Sequence, residues 1–164
     1  MSANLASLVN QQLYHCELLL AQIETLDKDS FSFRASKQAL LNAAIHASFL
    51  GYQGFLQELA ESCQIMSKPQ DLEALVAALA SESRSHASVA NLQSLMEQGE
   101  SWLVQLLKAE YSLFEQAPAA PTKANQQLIA LSAIDQKLDL PEIQAMNQAL
   151  KTFVSDQREF LQEW

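Results

Sequence analysis

The chain has 164 residues and a formal net charge of -9, with 49% hydrophobic and 18% charged residues. This composition predicts one folded domain, and the negative charge disfavours nucleic acid and membrane surfaces as partners. With only three Gly and four Pro residues, the chain lacks the glycine-rich loops that hold nucleotide phosphates, and we expect no cofactor. The same scarcity predicts an all-α protein, because these two residues interrupt helices most strongly.

Two long helices are predicted to open the chain and to pair as an antiparallel hairpin. Apolar residues recur at helical spacing from about residue 4 to 26 and again from about residue 32 to 66. Apolar side chains cover most of the second helix, which we therefore expect to be central. One stripe of this helix consists of small residues that let another helix approach closely, namely Ala43, Ala47, Gly51 and Gly54.

Four or five shorter helices are expected to pack around this hairpin and to form a compact bundle. Residues 67–70 have the pattern of a capping box with a proline in the first turn, which predicts a third helix that runs to about Glu82. A short fourth helix is predicted to stop near Gly99. Apolar residues at helical spacing predict a fifth helix over residues 102–114.

Residues 117–122 are rich in Pro and Ala and form the one clear linker of the sequence. They separate a predicted five-helix core at 1–116 from C-terminal helices within 123–164. One of these helices is capped by Thr122, and the other starts at a second capping box over 139–142. We expect a single helical domain, in which the linker lets the C-terminal helices pack on the core or on a partner subunit.

The sequence predicts a soluble protein of the cytoplasm. Residues 1–6 contain no basic segment followed by an apolar one, so we expect no secretory signal. The most apolar stretch, 39–60, is long enough to span a bilayer. It includes Asn42, His46 and Glu58, however, and such residues are costly in hydrocarbon.

The two cysteines are predicted to be free thiols. In a hairpin that turns near Ser30, Cys16 lies opposite residues 44–46, while Cys63 lies beyond the start of the first helix. At the rise of an α-helix this separation far exceeds the reach of a disulfide bond. Free thiols are also the expected state in the cytoplasm.

Two histidines are the strongest candidates for a site. The same hairpin register places His15 near His46, with Cys16 alongside, and these side chains together can bind a transition metal or a small ligand. The standard ligand spacings do not occur, so the alternative is a histidine that makes one or two structural hydrogen bonds. Glu58 can extend such a site or pair with an arginine. No catalytic residue is assigned.

Several segments resemble one protein family. They are Asn-Gln-Gln-Leu-Tyr at 10–14, the helical stretch at 39–60, Ser-Trp-Leu at 101–103 and the ending at 157–164. In these segments the chain is similar to a family of small helical proteins from gammaproteobacteria that is known only as a domain of unknown function. The resemblance implies an all-helical cytoplasmic protein and names no catalytic residue. The matching positions at which a site is expected are Asn10, Tyr14, His46, Glu58, Trp102 and Arg158.

Without a catalytic constellation, the sequence favours a non-enzymatic adaptor that binds a protein partner or a second copy of itself. Trp164 is an aromatic side chain that either docks on the bundle or takes part in such an interface. The competing hypothesis is a ligand-binding or metal-binding helical protein, or enzyme, with a site near His15, His46 and Glu58. The competing hypothesis requires these three side chains to converge on one pocket.

Overall fold

Six helices make up the part of the chain that the computed structural model describes, which comprises residues 2–115 and 138–162. No strand occurs within these ranges, so the predicted all-α fold is confirmed. The predicted linker at 117–122 and the helix predicted after Thr122 lie outside them, and the division of the domain stays a prediction. The helices are α1 (Ser2–Glu24), α2 (Phe33–Ser62), α3 (Leu72–Ser81), α4 (Ala87–Glu97), α5 (Trp102–Glu115) and α6 (Leu140–Gln162).

α1 and α2 form the predicted antiparallel hairpin, and small residues bring the two backbones together. Gly51 faces Leu13 and Gly54 faces Val9, so the contacts run in opposite directions along the two helices. A Cβ atom built on Gly54 lies 2.9 Å from Val9 Cγ2, and one built on Gly51 lies 3.0 Å from Leu13 Cδ2. A larger residue at either position would push α1 away, which confirms the role predicted for these two glycines.

The register of the hairpin differs from the predicted one by a few residues. The contacts of Gly51 with Leu13 and of Gly54 with Val9 place Cys16 opposite residues 47 and 48, whereas the prediction placed it opposite residues 44–46. The connection between α1 and α2 coils through turns, in one of which the Ser30 N–H donates to Asp27 O at 3.2 Å. Because the chain does not reverse in a single tight turn at Ser30, α2 is displaced along α1 relative to the prediction.

α5 and α6 pack against α2 and complete the core. Phe55 of α2 meets Phe153 of α6 with ring centroids 6.1 Å apart and an edge-to-face interplanar angle of 86°. Ser48 and Asn147 pair nearer to the amino-terminal ends of the same two helices, so α6 runs parallel to α2. Large buried side chains come from all four long helices and include Val9, Leu13, Phe55, Leu56, Leu59, Leu103, Leu106, Ile143 and Leu150.

α2 is the central helix, as predicted; α3 lies beside its carboxyl-terminal half, and α4 packs on α3 and α5. Buried residues occur along most of α2. Gln53 Nε2 donates to Gln70 O at 3.0 Å, and the Arg84 guanidinium donates to Cys63 O. Across the described ranges, no helix combines the length and the apolar character that crossing a bilayer requires.

α2 ends earlier than the sequence predicts, at Ser62 rather than at Met66. Gln64 adopts a left-handed backbone conformation with a φ of 58°. This conformation lets the Ile65 N–H donate to Ala60 O at 2.8 Å, a pattern typical of helix carboxyl termini. Glycine is the usual residue at such a position, so the sequence contains no clear signal for this end.

One of the two predicted capping boxes is wrong and the other is confirmed. The box at 67–70 does not start α3, because Asp71 is the N-cap and its Oδ1 atom accepts the Ala74 N–H at 2.7 Å. An aspartate directly before the first turn satisfies an otherwise unpaired backbone donor. At the start of α6, the Asp139 N–H donates to Glu142 Oε2 at 3.1 Å, as a capping box requires.

Replacing Gly54 by Ala is expected to lower the free energy of unfolding by about 1 kcal/mol. The new methyl group meets Val9, and overpacking costs about 1–3 kcal/mol, which the helix propensity of alanine offsets by about 1 kcal/mol. In a Val9→Ala background the obstruction is gone, so the same change should raise stability. Urea denaturation of the four proteins in this double-mutant cycle measures the coupling. Additive effects would contradict a close contact between Gly54 and Val9.

Candidate functional site

Three of the residues singled out in the sequence converge at Arg158 of α6. Its guanidinium binds Glu58 of α2 in a bidentate manner, with Nε 2.9 Å from Oε1 and Nη2 2.7 Å from Oε2. Nη1 donates to Asn10 Oδ1 of α1 at 2.7 Å, and Nη2 lies 3.4 Å from the backbone oxygen of Ala6. The Arg158 side chain is 20% exposed and the Glu58 side chain 13%, so the pair is largely removed from water.

This Arg158 cluster (Asn10, Glu58 and Arg158) supports the arrangement of three helices. An ion pair in this environment is costly to break, since the partner that remains stays desolvated. The cluster joins α1, α2 and α6 and therefore holds their register. Because the guanidinium already makes four hydrogen bonds, it positions neighbouring side chains and is not free to bind an anion.

A surface groove of about 560 Å³ lies beside the Arg158 cluster, between α1 and α6. Two buried apolar residues, Leu13 and Val154, contribute to its lining. Tyr14, another residue singled out in the sequence, is 56% exposed on the α1 side of the groove. The remaining lining residues are polar or charged, namely Asn10, Glu17, Lys151, Ser155, Arg158 and Glu159.

The charges in the lining of this groove balance one another. Glu17 and Glu159 carry negative charge, and Lys151 and Arg158 carry positive charge. Lys151 Nζ lies 2.6 Å from Glu17 Oε1, so these two helices are also linked across the groove. Apolar residues, one exposed aromatic ring and balanced charges suit the surface of a polypeptide better than a compact anion.

The structure does not assemble the site predicted at His15, His46 and Glu58. His15 is exposed on α1, Glu58 binds Arg158, and His46 of α2 pairs with Glu110 of α5, with Nδ1 2.7 Å from Oε1. His46 lies on the side of α2 that faces α5, where Glu110 is its partner. Among the residues that the structure describes, no group of three or more potential metal ligands occurs.

Glu110 is the candidate residue that sequence reasoning missed. Its side chain is only 6% exposed, and its Oε2 atom has no hydrogen-bond partner within the described ranges. The His46 side chain, by contrast, is 49% exposed. The signal in the sequence is a single carboxylate on the apolar face of α5, at helical spacing from buried Leu103 and Leu106.

A second polar cluster is fully buried between α1, α2 and α6. Ser48 Oγ donates to Asn147 Oδ1 at 3.0 Å, and Asn147 Nδ2 lies 3.4 Å from Leu13 O. Burial raises the pKa of the nearby Cys16 thiol to about 11. Cys16 and Cys63 are free thiols, as predicted.

We expect Cys16 to resist alkylation in the folded protein. The thiolate is the reactive form, and with a pKa of about 11 little of this buried thiol is ionised at about pH 8. The stability that the raised pKa confers is present below the ordinary pKa of 9.0 and is lost as the pH rises through about 11. Iodoacetamide labelling mapped by mass spectrometry should modify half-buried Cys63 first, and Cys16 only after denaturant unfolds the chain. Equal labelling rates in the folded state would contradict the burial of Cys16.

Of the two tryptophans singled out in the sequence, the structure describes Trp102 but not Trp164. Trp102 is half-buried at the start of α5, and its ring centroid lies 5.6 Å from that of Phe153. Packing against the core thus accounts for an aromatic residue at this position. Trp164 lies outside the described residues, and its part in an interface stays a prediction.

Comparison with known proteins identifies a family and no activity. No curated protein and no solved structure matches the chain. A family model described as "Family of unknown function (DUF6586)" matches residues 1–164, which agrees with the resemblance seen in the sequence. Because the match extends over all of these residues, the chain belongs to this family of unknown function, DUF6586.

Proposed function

We propose that this protein is a non-enzymatic adaptor of the cytoplasm that binds a helical segment of a partner protein in the groove between α1 and α6. The observation that carries the proposal is the lining of the groove, in which exposed Tyr14 stands beside apolar Leu13 and Val154. Tyrosine is enriched at protein interfaces, because its ring offers a large contact area while its hydroxyl keeps a hydrogen-bonding partner.

The shape of the groove favours a helix as its occupant. α1 and α6 run antiparallel, since Asn147 contacts the backbone of Leu13 while Arg158, further along α6, contacts Asn10, earlier on α1. A third helix packs into a groove of this kind by directing side chains at i, i+3 and i+7 between the two helices. Since Leu13 and Val154 are themselves buried, the apolar face of such a helix would make its main contact with the exposed ring of Tyr14.

The distribution of charge favours a protein partner over nucleic acid. The net charge of -9 repels phosphate backbones, and the two cations of the groove are each paired with a carboxylate, Lys151 with Glu17 and Arg158 with Glu58. The expected occupant is therefore a helix whose apolar face is flanked by charges of both signs. The absence of nucleic-acid and membrane partners, and the gammaproteobacterial origin implied by the resemblance, remain expectations.

The alternative function, a ligand or metal site near His15, His46 and Glu58, is less well supported by the geometry. Glu58 is engaged by Arg158, and His46 is engaged by Glu110. Since these side chains belong to separate clusters, they do not offer one site to a ligand. The groove between α1 and α6 is therefore the better-supported binding site.

Photo-crosslinking in the native cell tests the proposal at the level of single residues. A photoreactive phenylalanine replaces Tyr14, and in a control chain it replaces Gln93, which is exposed on α4. The proposal predicts a discrete crosslinked protein from position 14 that is absent from position 93. The crosslinked partner is then purified, and its Kd for the wild-type chain is measured.

Variants of the groove decide whether the crosslink reports a binding site. Affinity for the purified partner should fall at least about ten-fold in Tyr14→Ala and in Ser155→Arg, which fills the groove, and should not change in Gln93→Arg. Circular dichroism verifies that each variant folds. Equal affinity for all three variants would exclude the groove as the binding site of the partner. A crosslink between two copies of this chain would mean that the groove binds a second copy of the chain and not a different protein.

A further inference from the structure

The pair formed by His46 and Glu110 is a chemical feature separate from the groove. His46 lies in the middle of α2, half exposed, and its Nδ1 atom is 2.7 Å from Oε1 of nearly buried Glu110. The second carboxylate oxygen, Oε2, is buried and has no partner in the part of the chain that the structure describes. Within that part, the buried carboxylate depends on His46 for its hydrogen bonding.

This contact determines which nitrogen of His46 is available for chemistry. With Glu110 ionised and His46 neutral, the carboxylate only accepts a hydrogen bond, and in that state Nδ1 carries the proton and the lone pair lies on Nε2. Nε2 is the ring nitrogen that does not contact Glu110, and the His46 side chain as a whole is 49% exposed. A carboxylate at Nδ1 also stabilises the positive charge that develops on the ring when Nε2 attacks an electrophile.

We propose that His46 is a phosphoryl-acceptor site that is modified at Nε2 by a donor containing a phosphorus–nitrogen bond. The Nε2 lone pair attacks phosphorus, the phosphorus–nitrogen bond of the donor breaks, and the leaving amine departs with that electron pair. With phosphoramidate, whose nitrogen is already protonated, ammonia leaves and no additional proton is required. The product is a phosphoryl imidazolium that keeps its proton on Nδ1, facing Glu110.

Asn42 supplies a hydrogen-bond donor for the phosphoryl oxygens. It precedes His46 by one turn of α2, so the two side chains are neighbours on one helix face. Gln38 Nε2 donates to Asn42 Oδ1 at 2.7 Å, which orients the amide and leaves its Nδ2 group as a donor. A transition metal would need further ligands, and the described residues contain no group of three that could supply them.

Treatment of the purified full chain with phosphoramidate tests this proposal. Mass spectrometry should show one added phosphoryl group that is stable in alkali and lost in acid, and peptide mapping should place it on His46. His46→Asn should abolish the modification, and Glu110→Gln should slow it at least about ten-fold. His15→Asn should have no effect on His46. His15 is the matched control, because it is exposed and forms no hydrogen bond to a carboxylate among the described residues.

The ratio of the modification rates at His46 and His15 in the wild-type chain needs no variant, so it remains decisive if Glu110→Gln does not fold. A ratio above about ten supports activation by Glu110. Equal or faster modification of His15, or no modification of His46, would overturn the proposal. Tyr14→Ala should leave the rate of modification at His46 unchanged. The proposal for His46 and the proposal for the groove can therefore be disproved independently of each other.

Discussion

Replacing Arg158 by Ala is expected to lower the free energy of unfolding by about 3 kcal/mol. The substitution leaves the Glu58 carboxylate without its guanidinium partner, although the carboxylate stays largely removed from water. It also removes the hydrogen bonds to Asn10 and to the backbone of Ala6. Urea denaturation followed by circular dichroism measures the difference between the wild-type chain and the variant.

Lys151→Ala is the matched control for this substitution. Lys151 also links α6 to a glutamate of α1, but its side chain is 50% exposed, and surface ion pairs contribute about 0–1 kcal/mol. Adding Glu58→Gln to Arg158→Ala should recover part of the loss, because a neutral amide costs less to leave unpaired than a carboxylate. If Arg158→Ala destabilises no more than Lys151→Ala, the Arg158 cluster does not support the helices in the way proposed.

Phe55→Ala is expected to have a still larger effect, a loss of about 4 kcal/mol. The Phe55 side chain is fully buried and meets Phe153 edge to face, with ring centroids 6.1 Å apart. Its removal leaves a cavity at the contact between α2 and α6, and it also removes the aromatic pair. Urea denaturation at constant temperature measures the loss.

Phe31→Ala is the control for Phe55→Ala, because it removes the same side chain from an exposed position. Phe31 lies in the connection between α1 and α2 and is fully exposed, so Phe31→Ala should change stability by less than about 0.5 kcal/mol. Phe55→Leu should recover much of the loss, because it keeps most of the buried volume. A similar small effect for Phe55→Ala and Phe31→Ala would contradict the packing of α6 on α2.

Much of the fold could be predicted because it depends on neighbouring residues in the sequence. The helices, the small-residue stripe at Gly51 and Gly54 and the capping box at 139–142 can each be recognised from residues within a few turns of one another. The end of α2 could not be predicted, since Gln64 adopts a left-handed conformation that glutamine rarely adopts. The register of the hairpin was also out of reach, because it depends on how the connection coils.

The candidate site was only partly predictable, for a related reason. Resemblance to a family selected Asn10, Glu58 and Arg158, which the structure brings together, but it could not show that they bind one another. Glu110 was missed because its helical spacing from Leu103 and Leu106 places it on the apolar face of α5 but does not show which side chain it meets there. Its burial becomes apparent only when α5 packs against α2.

The sequence by itself thus determined the all-helical class, the central position of α2 and the close contact of α1 with α2, since these follow from periodicity and residue size. Only the tertiary structure decided which polar side chains meet. The partners His46 and Glu110 are 64 positions apart in the chain, and Glu58 and Arg158 are 100 apart. Pairings over such distances depend on the packing of whole helices, because a shift of one helix by a few residues exchanges every partner along it.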